Sequence, residues 1–432
     1  MKTEVELGFK RWLRSSETRA SATIVTPCRG IWIIRARLQS DEYLFPVMPC
    51  TCDEKHTVRI NGEPYCEAEY CSGFLREILS CNAITAESFI DLSGSISYDG
   101  AISEDATNPH VLLTINAQKF VLKGYRLHTS WNPEPLFLRF LSGSGLVPKL
   151  ALSYSFNGRP LGILTEYVPG AFDPGAIFYN SLKETLKGED NFPPIEVING
   201  IARTIAEFHN LMFTCREDWC SPGVASRKNL EEWRERTLTY LTFLRRFTFP
   251  DKIKIVLERN TDSLFQYFSG TNIIATHQDL HFSQMLRSGE NFYIVDFEGE
   301  PGRPEKYRRT LEPAVRDMAT LLRGLAYIAY FGLAEVNHLD KNSTYLFIKD
   351  GGPQVKLARE WTSNVSLKLL GEYARRVNKS LLRSTGVSNI LQDIEPWLFE
   401  RALYEAFYEA QYRPENTIVA LATLAHDIPQ LL

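Results

Sequence analysis

The hydrophobic pattern predicts a β-rich first third of the chain. Residues 23–37 are β-branched and partly alternating, which favours strand structure. Asn61-Gly62 separates two strand-like runs and is the preferred dipeptide of a type I′ hairpin turn. Residues 110–126 indicate two further strands. The first ~80 residues are therefore predicted to form a small β-rich unit.

From about residue 175 the apolar residues recur at helical spacing. Before that point, Pro133 predicts the start of a helix, and residues 162–170 predict a strand that stops at Pro169-Gly170. The tail from Trp361 is again mostly helical in pattern. Segregated strands and helices predict an α+β fold. The clearest helical repeat consists of Ile201, Ile205, Phe208 and Met212.

Composition and charge narrow the classes of function. The 432 residues suggest two to three structural units. A net charge of −4 offers no basic excess for a nucleic-acid backbone. The charged N-terminal segment lacks the apolar core of a signal peptide, and no apolar run reaches the ~18 residues of a membrane span. We therefore expect a cytoplasmic protein without nucleic-acid or membrane partners.

Six of the eight cysteines lie between Cys28 and Cys81. Zinc binding, disulfides and buried free thiols are the three interpretations. Neither Cys50-Thr-Cys52 nor the Cys66…Cys71 spacing matches the paired CxxC pattern of common zinc modules. Disulfides are unusual in a cytosol outside hyperthermophiles. We therefore expect buried free thiols.

Two carboxylate-bearing segments carry the candidate chemistry. HQDLHFSQ contains Asp279 and Gln284, and the strand-like YIVDFEGEP contains Asp296 and Glu298. Mg²⁺ prefers oxygen ligands and takes one or two carboxylates together with substrate phosphates. A further aspartate can accept the proton of an attacking hydroxyl. This pattern points to phosphoryl transfer, with Asp279 as base and with Gln284 and Asp296 as metal ligands.

Other chemistries fit parts of this pattern. Two carboxylates could act as a glycosidase pair. His277 and His281 are four residues apart, as zinc ligands on a helix can be, but the segment is not HExxH. An isolated HxD could also be purely structural. The order of the two segments favours the kinase interpretation.

HQDLHFSQML followed by FYIVDFEGEPGRP resembles the maltokinases, within the aminoglycoside-phosphotransferase-like kinases. Those enzymes carry H-G-D-x-H-x-x-Q and D-F-E-G-E-P, and this chain departs at Gln278, where glycine is usual. The resemblance runs from about residue 105 to 420. It implies a bilobal protein-kinase-like fold with a β-rich N-terminal cap. The expected domains are a cap at 1–100, an N-lobe with strand lysine and hinge at 101–170, and a helical C-lobe at 171–432.

The resemblance also implies an ATP site at the hinge between the lobes. Lys123 looks like the family's strand lysine, which neutralises phosphate charge. Glu134 is its candidate partner, although the family's usual glutamate position is Leu136 here. The polar loop and the main chain of the ILTEYVPG hinge supply the other contacts. These ATP-binding candidates are Thr107, Asn108, Glu166 and Val168.

Further matches fall in the helical part. VRDMATLLRG resembles a family helix whose Asp317 supports the catalytic loop together with His277, whereas His209 is expected to be structural. LYEAFYEAQYRPE resembles the family's tail motif, and its two i,i+4 pairs share helix faces. Rings can stack on a sugar and carboxylates can accept its hydroxyl protons. The alternative is a packed tyrosine stripe. The candidate sugar-binding residues are Asp279, Tyr404, Glu405, Tyr408 and Glu409.

The resemblance implies a sugar kinase that uses ATP and Mg²⁺. The expected reaction transfers the γ-phosphoryl group to maltose and gives maltose 1-phosphate, with Glu298 as a third metal donor. One alternative is a kinase of glucosamine or another aminosugar. A second is a pseudokinase that senses nucleotide or sugar, which the intact set Asp279, Gln284 and Asp296 argues against. A monomer is expected.

Overall fold

The structure is a computed structural model, and its chain divides into two compact units, Met1–Pro169 and Gly170–Leu432. The division follows the end of the predicted hinge segment. A boundary between a cap and an N-lobe near residue 100 stays a proposal. The structure describes residues 2–8, 10, 12–13, 17–28, 30–39, 41–103, 108–189, 191–384 and 386–427.

The first unit begins with a closed six-stranded barrel, in the strand order β1-β2-β3-β4-β6-β5. Its interior is filled by aliphatic and aromatic side chains such as Ile34, Phe45 and Val58. Asn61 and Gly62 form the two-residue turn between β5 and β6, both with positive φ, which confirms the predicted hairpin. The barrel strands are β1 (Lys2–Glu6), β2 (Arg19–Cys28), β3 (Ile31–Leu38), β4 (Asp41–Met48), β5 (Thr57–Ile60) and β6 (Glu63–Glu67).

A second, antiparallel sheet completes this unit, in the order β7-β11-β12-β10-β9-β8. The predicted strands in 110–126 and the helix after Pro133 are present, and the strand expected over 162–170 ends earlier, at Glu166. The elements are α1 (Phe74–Ser80), β7 (Ile84–Ser88), β8 (Ile96–Ser103), β9 (His110–Ile115), β10 (Gln118–Gly124), α2 (Glu134–Phe140), β11 (Leu150–Phe156) and β12 (Arg159–Glu166).

All eight cysteines form disulfides, so the expectation of buried free thiols is wrong. Spacing along the chain could not reveal the three pairs of the first unit, because their partners come from different strands and turns. The expected cytosolic location also argued against disulfides. That argument concerns the redox state of the compartment and says nothing about whether two cysteines lie close enough to pair. The pairs are Cys28–Cys81, Cys50–Cys71, Cys52–Cys66 and Cys215–Cys220.

The second unit is mainly helical, with two small two-stranded ladders. The predicted helical repeat of Ile201–Met212 lies in α4 and is buried in the core, and the tail is helical as expected. Its elements are α3 (Gly175–Leu186), α4 (Ile195–Met212), β13 (Gly223–Val224), α5 (Arg227–Leu244), α6 (Asp251–Leu257), β14 (Asn272–Ile273), β15 (Met285–Ser288), β16 (Asn291–Ile294), α7 (Glu305–Arg308), α8 (Val315–Val336), α9 (Lys341–Asp350), α10 (Pro353–Arg376), α11 (Val387–Tyr412) and α12 (Thr417–Asp427).

Helix α8 is the one helix in the described ranges that is long and apolar enough to cross a membrane. Here it packs against α3, α10 and α11 and is largely buried. It also carries the buried charged residues Arg316, Asp317 and Arg323. A central core helix meets the same criteria of length and composition, so this feature is weak evidence for a membrane span.

The disulfides give a stability prediction that depends on loop length. In the chain-entropy treatment, a disulfide that closes a longer loop stabilises more. The Cys28–Cys81 pair spans 53 residues, and Cys215–Cys220 spans 5. Replacing both cysteines of the first pair with alanine should lower the free energy of unfolding by about 4 kcal/mol. The same replacement in the second pair should lower it by about 2 kcal/mol. Urea unfolding of the two double variants measures both; equal losses would contradict the loop-length argument.

Candidate active site

The segment 277–284 lies between β14 and β15 and is held by Asp317 of α8. The Asp317 carboxylate accepts hydrogen bonds from the His277 N–H at 2.8 Å and from the Gln278 N–H at 2.9 Å. His209 Nε2 lies 3.1 Å from the same carboxylate, and Tyr373 contacts His209 Nδ1. Burial would raise the pKa of Asp317, but the contacts with His209 and His277 outweigh it and lower that pKa. His209 is fully buried in this anchor.

Gln278, the departure from the family motif, adopts φ +69°, a left-handed conformation that favours glycine. The cost is met by hydrogen bonds that glycine could not make. Its side-chain amide nitrogen donates to the carbonyl oxygens of Tyr307 and Thr310 at 3.3 Å each. Its main-chain carbonyl oxygen, which a glycine would also offer, accepts from Arg316 Nη1 at 2.7 Å. Gln278 therefore fixes the loop from both its main chain and its side chain.

Asp279, the candidate base, is paired with an arginine from the distant helix α11. Arg401 Nη1 lies 2.7 Å from Asp279 Oδ1 and 2.8 Å from Glu300 Oε1. Arg401 Nε also donates to Glu405 Oε1 at 2.8 Å. These carboxylates raise the pKa of Arg401 against the effect of burial, so the guanidinium stays charged. The side-chain position of Asp279 is thus tied to α11.

This pair belongs to a buried charge cluster of five guanidiniums and five carboxylates. None of these side chains is more than 10% exposed. Arg316, for example, lies 2.7 Å from Glu300 and 2.9 Å from Glu312. The charge cluster consists of Arg236, Arg303, Arg316, Arg323, Arg401, Asp279, Glu300, Glu312, Glu400 and Glu405.

The three candidate metal ligands lie together at the end of β16. Gln284 Nε2 donates to Asp296 Oδ2 at 2.9 Å, and carboxylate oxygens of Asp296 and Glu298 lie within 4.8 Å of each other. Asp296 has φ +65°, and Phe297 between the two carboxylates is buried, so both acids face the same half-exposed side. Two carboxylates and an amide form an oxygen-rich set that fits Mg²⁺.

His277 and His281 do not form a helical zinc pair. Both lie in the loop before the 3-10 turn Phe282–Gln284. His277 is fully buried, and its Nε2 is 2.9 Å from the Val295 carbonyl oxygen. Burial lowers the pKa of His277, so it is held neutral as a support of the loop.

A cavity of about 580 Å³ opens beside this loop within the second unit. That volume is typical of small-molecule sites. Asp279 and the four Tyr and Glu candidates of α11 all line it. The wall is rich in aromatic rings from α3, α8, α11 and the 3-10 turn Phe282–Gln284. These rings belong to Tyr179, Phe282, Tyr327, Phe331, Tyr404 and Tyr408.

The α11 candidates differ in how they are held. Tyr404 is buried, and its hydroxyl donates to the Pro301 carbonyl oxygen at 2.5 Å. Glu405 accepts from Arg323 and Arg401 on its two oxygens. Tyr408 and Glu409 are more exposed, and Glu409 lies 2.6 Å from Arg413. Tyr404 and Glu405 thus form the cavity's frame, while Tyr408 and Glu409 face its interior more openly.

The ATP-binding candidates fall in the first unit. Lys123 Nζ lies 2.8 Å from Glu134 Oε2, and both are buried, so Glu134 does pair with the strand lysine. The Tyr125 hydroxyl donates to the same carboxylate at 2.9 Å. Asn108 precedes β9, and Glu166 and Val168 lie at and after the end of β12. Thr107 lies outside the described residues.

Sequence reasoning missed the arginines of the charge cluster and one acid of the cavity, Asp173. For Arg401 a signal was available, since it precedes Glu405 by one helical turn. Arg303 stands in the EGEPGRP segment. Asp173 lies far from every motif and had no such signal.

Comparison with known proteins finds glucosamine kinases among both the sequence relatives and the solved structures. No protein family model matches the chain. A glucosamine kinase of Mycolicibacterium smegmatis is 23% identical over 241 residues, which cover 53% of this chain and 58% of that protein. A glucosamine kinase of Streptacidiphilus jiangxiensis is 33% identical over 60 residues, 14% of each chain. The chain thus matches little more than half the length of these relatives at most.

Solved structures extend the likeness over nearly the whole chain. A glucosamine kinase in complex with glucosamine, ADP and inorganic phosphate aligns with a TM-score of 0.63 at 14% identity, covering 94% of this chain and 93% of that chain. A second crystal form of glucosamine kinase gives 0.63 at 15% identity, over 93% and 92%. The predicted α+β, protein-kinase-like fold is confirmed.

The charge cluster gives a stability prediction. Replacing Arg316 with methionine removes an ion-pair partner from three buried glutamates and removes the hydrogen bond to the Gln278 main-chain carbonyl. We expect a loss of about 3–5 kcal/mol of unfolding free energy. Arg227→Met, which removes an exposed pair with Glu231, should cost at most about 1 kcal/mol. Urea unfolding, which adds no salt, measures both; similar small losses would show that the cluster does not stabilise the fold.

Proposed function

We propose that the chain is an ATP-dependent sugar kinase that phosphorylates a hydroxyl group of an aminosugar. The observation that carries this proposal is the cavity in which Asp279 meets a wall of aromatic rings. Rings pack on the apolar faces of a sugar, and a carboxylate accepts hydrogen bonds from its hydroxyls. An anchored aspartate at the end of such a cavity is placed to act on a bound hydroxyl.

The proposed step follows from the placement of Asp279. The acceptor hydroxyl oxygen attacks the γ-phosphorus of ATP, its proton passes to the Asp279 carboxylate, and ADP leaves. Arg401 orients that carboxylate, because its guanidinium contacts both Asp279 and the buried Glu300. Before the reaction the hydroxyl must share Asp279 with Arg401. Tyr408 and Glu409 of α11 would contact the sugar.

Gln284, Asp296 and Glu298 would hold Mg²⁺, which supplies charge neutralisation for the phosphates in reactions of this class. In the first unit, the buried pair of Lys123 and Glu134 would serve the nucleotide, as the strand lysine and its glutamate do in protein kinases. Asn108, Glu166 and Val168 remain candidates for the rest of the nucleotide contacts.

The acceptor is better supported as an aminosugar than as maltose. The relatives and solved structures reported above are glucosamine kinases, and one of them holds glucosamine itself. Maltose remains the second candidate, because the tail motif LYEAFYEAQYRPE resembles that of maltokinases and the cavity has room for a disaccharide.

We also propose a cytoplasmic location, where ATP is supplied. Four disulfides are unusual there, except in proteins of hyperthermophiles.

Asp279→Asn tests the base. The amide keeps the size of the side chain but cannot take up the proton, so turnover should fall by about 100-fold or more. Nucleotide affinity, measured by calorimetry, should stay within about threefold, because the charge change lies on the sugar side. Asp262→Asn, on an exposed aspartate, is the matched control. Near wild-type turnover in Asp279→Asn would remove Asp279 from the base role.

A substrate panel tests the acceptor. The full chain is incubated with Mg-ATP and glucosamine, glucose, maltose, trehalose or an aminoglycoside, and the product is assigned by ³¹P–¹H NMR. We expect phosphorylated glucosamine as the main product. A phosphate on the anomeric carbon of maltose alone would replace the aminosugar by the second candidate. No product with any acceptor would contradict the kinase proposal for these sugars.

A further inference from the structure

The cavity contains more acidic than basic side chains. Four carboxylates and two guanidiniums line it, and one further guanidinium, that of Arg323, reaches a lining carboxylate from behind the wall. One carboxylate is therefore left over when each is matched with an arginine. The four acids are Asp173, Asp279, Glu405 and Glu409.

Three of these acids have a basic partner. Asp279 lies 2.7 Å from Arg401, Glu405 lies 2.6 Å from Arg323, and Glu409 lies 2.6 Å from Arg413. Each pair neutralises the charge that the carboxylate would present to a ligand. The fourth, Asp173, has no lysine or arginine within ion-pair distance among the residues that the structure describes. Its negative charge faces the cavity without a balancing cation.

Asp173 is held by neutral donors. Its Oδ1 accepts from the Gly175 N–H at 2.7 Å, and its Oδ2 accepts from the Ser283 hydroxyl at 2.7 Å. The start of helix α3 offsets part of the charge, but a helix terminus is worth about half an elementary charge. A negative charge therefore remains at this point of the cavity.

The position of Asp173 is fixed relative to the catalytic loop. The preceding residue, Phe172, forms a two-bond antiparallel bridge with Arg287, with N···O distances of 3.1 and 2.9 Å. Ser283, which donates to Asp173, is four residues after Asp279 in the same loop. Asp173 thus lines the same cavity as Asp279 and is hydrogen-bonded to the segment that carries Asp279.

We propose that Asp173 binds the ammonium group of the acceptor and selects an aminosugar over a neutral sugar. The proposal rests on the proposed sugar-kinase function and adds the residue that determines specificity. A cation gains a charge-assisted hydrogen bond from a carboxylate that has no other counter-ion. Glu405 could offer this only by giving up two arginines, and Glu409 only by giving up Arg413.

Asp173→Asn tests the proposal while preserving the shape of the side chain. The remaining carbonyl oxygen can still accept from Gly175, and the Ser283 hydroxyl can turn to accept from the new amide. The matched control is Asp262→Asn, the same change of aspartate to asparagine on an exposed residue outside the cavity. Thermal midpoints of both variants check that the fold is kept.

The measured quantity is the ratio of the dissociation constants for glucose and glucosamine. It is obtained by calorimetry on the full chain with a non-hydrolysable ATP analogue and Mg²⁺. We expect the preference for glucosamine to fall by about tenfold or more in Asp173→Asn, the size of a lost bond to a charged group. Asp262→Asn should change it by less than about threefold, because Asp262 does not line the cavity.

An unchanged ratio in Asp173→Asn, or an equal fall in both variants, overturns the assignment. A wild-type chain that binds glucose as tightly as glucosamine overturns it as well. These outcomes are separate from the failure of the proposed function. If the wild-type chain binds glucosamine with the expected preference but forms no product, the kinase proposal fails and the assignment of Asp173 is still decided by the ratio.

Discussion

The buried charge cluster is the constraint on which the second unit, with its candidate active site, depends. Removing ten charged groups from water costs several kcal/mol for each ion, and only mutual pairing offsets that cost. Five guanidiniums and five carboxylates meet this condition without a net charge. Planar guanidiniums suit the task, since each can serve two or three carboxylates in a fixed geometry. Lysine could not replace them at equal cost.

The cluster also explains how distant segments are brought into register. Arg316 of α8 contacts the Gln278 carbonyl, and Arg401 of α11 contacts Asp279, so the catalytic loop is held from two helices at once. Glu300, from the turn after β16, contacts both arginines. Helix α11, the candidate catalytic loop and the turn after β16 therefore share one ionic framework, and a shift in one is resisted by the other two.

Motifs in the sequence predicted the residues of the proposed chemistry. The side chains that hold those residues in place were harder to predict. The segments around Asp279 and Asp296 and the strand lysine Lys123 carry residue types that phosphoryl transfer requires, so they could be predicted. The pairing of Arg401 with Asp279 and of Arg316 with Glu300 could not be predicted, because these partners lie 122 and 16 residues away in numbering and only the fold joins them. The prediction of free cysteines failed for a related reason, since the pairing of those in the first unit depends on how the barrel strands meet.

The same framework limits where substrate specificity can reside. A cluster member such as Glu405 cannot change partners without exposing a buried arginine, so its charge is committed to the fold. Residues that discriminate among acceptors must therefore lie outside the cluster, on the cavity wall. Asp173 and Glu409 satisfy this condition, and they differ in that Arg413 balances only the second. A change of acceptor would therefore require changes in wall residues of this kind, rather than in the charge cluster or the candidate catalytic loop.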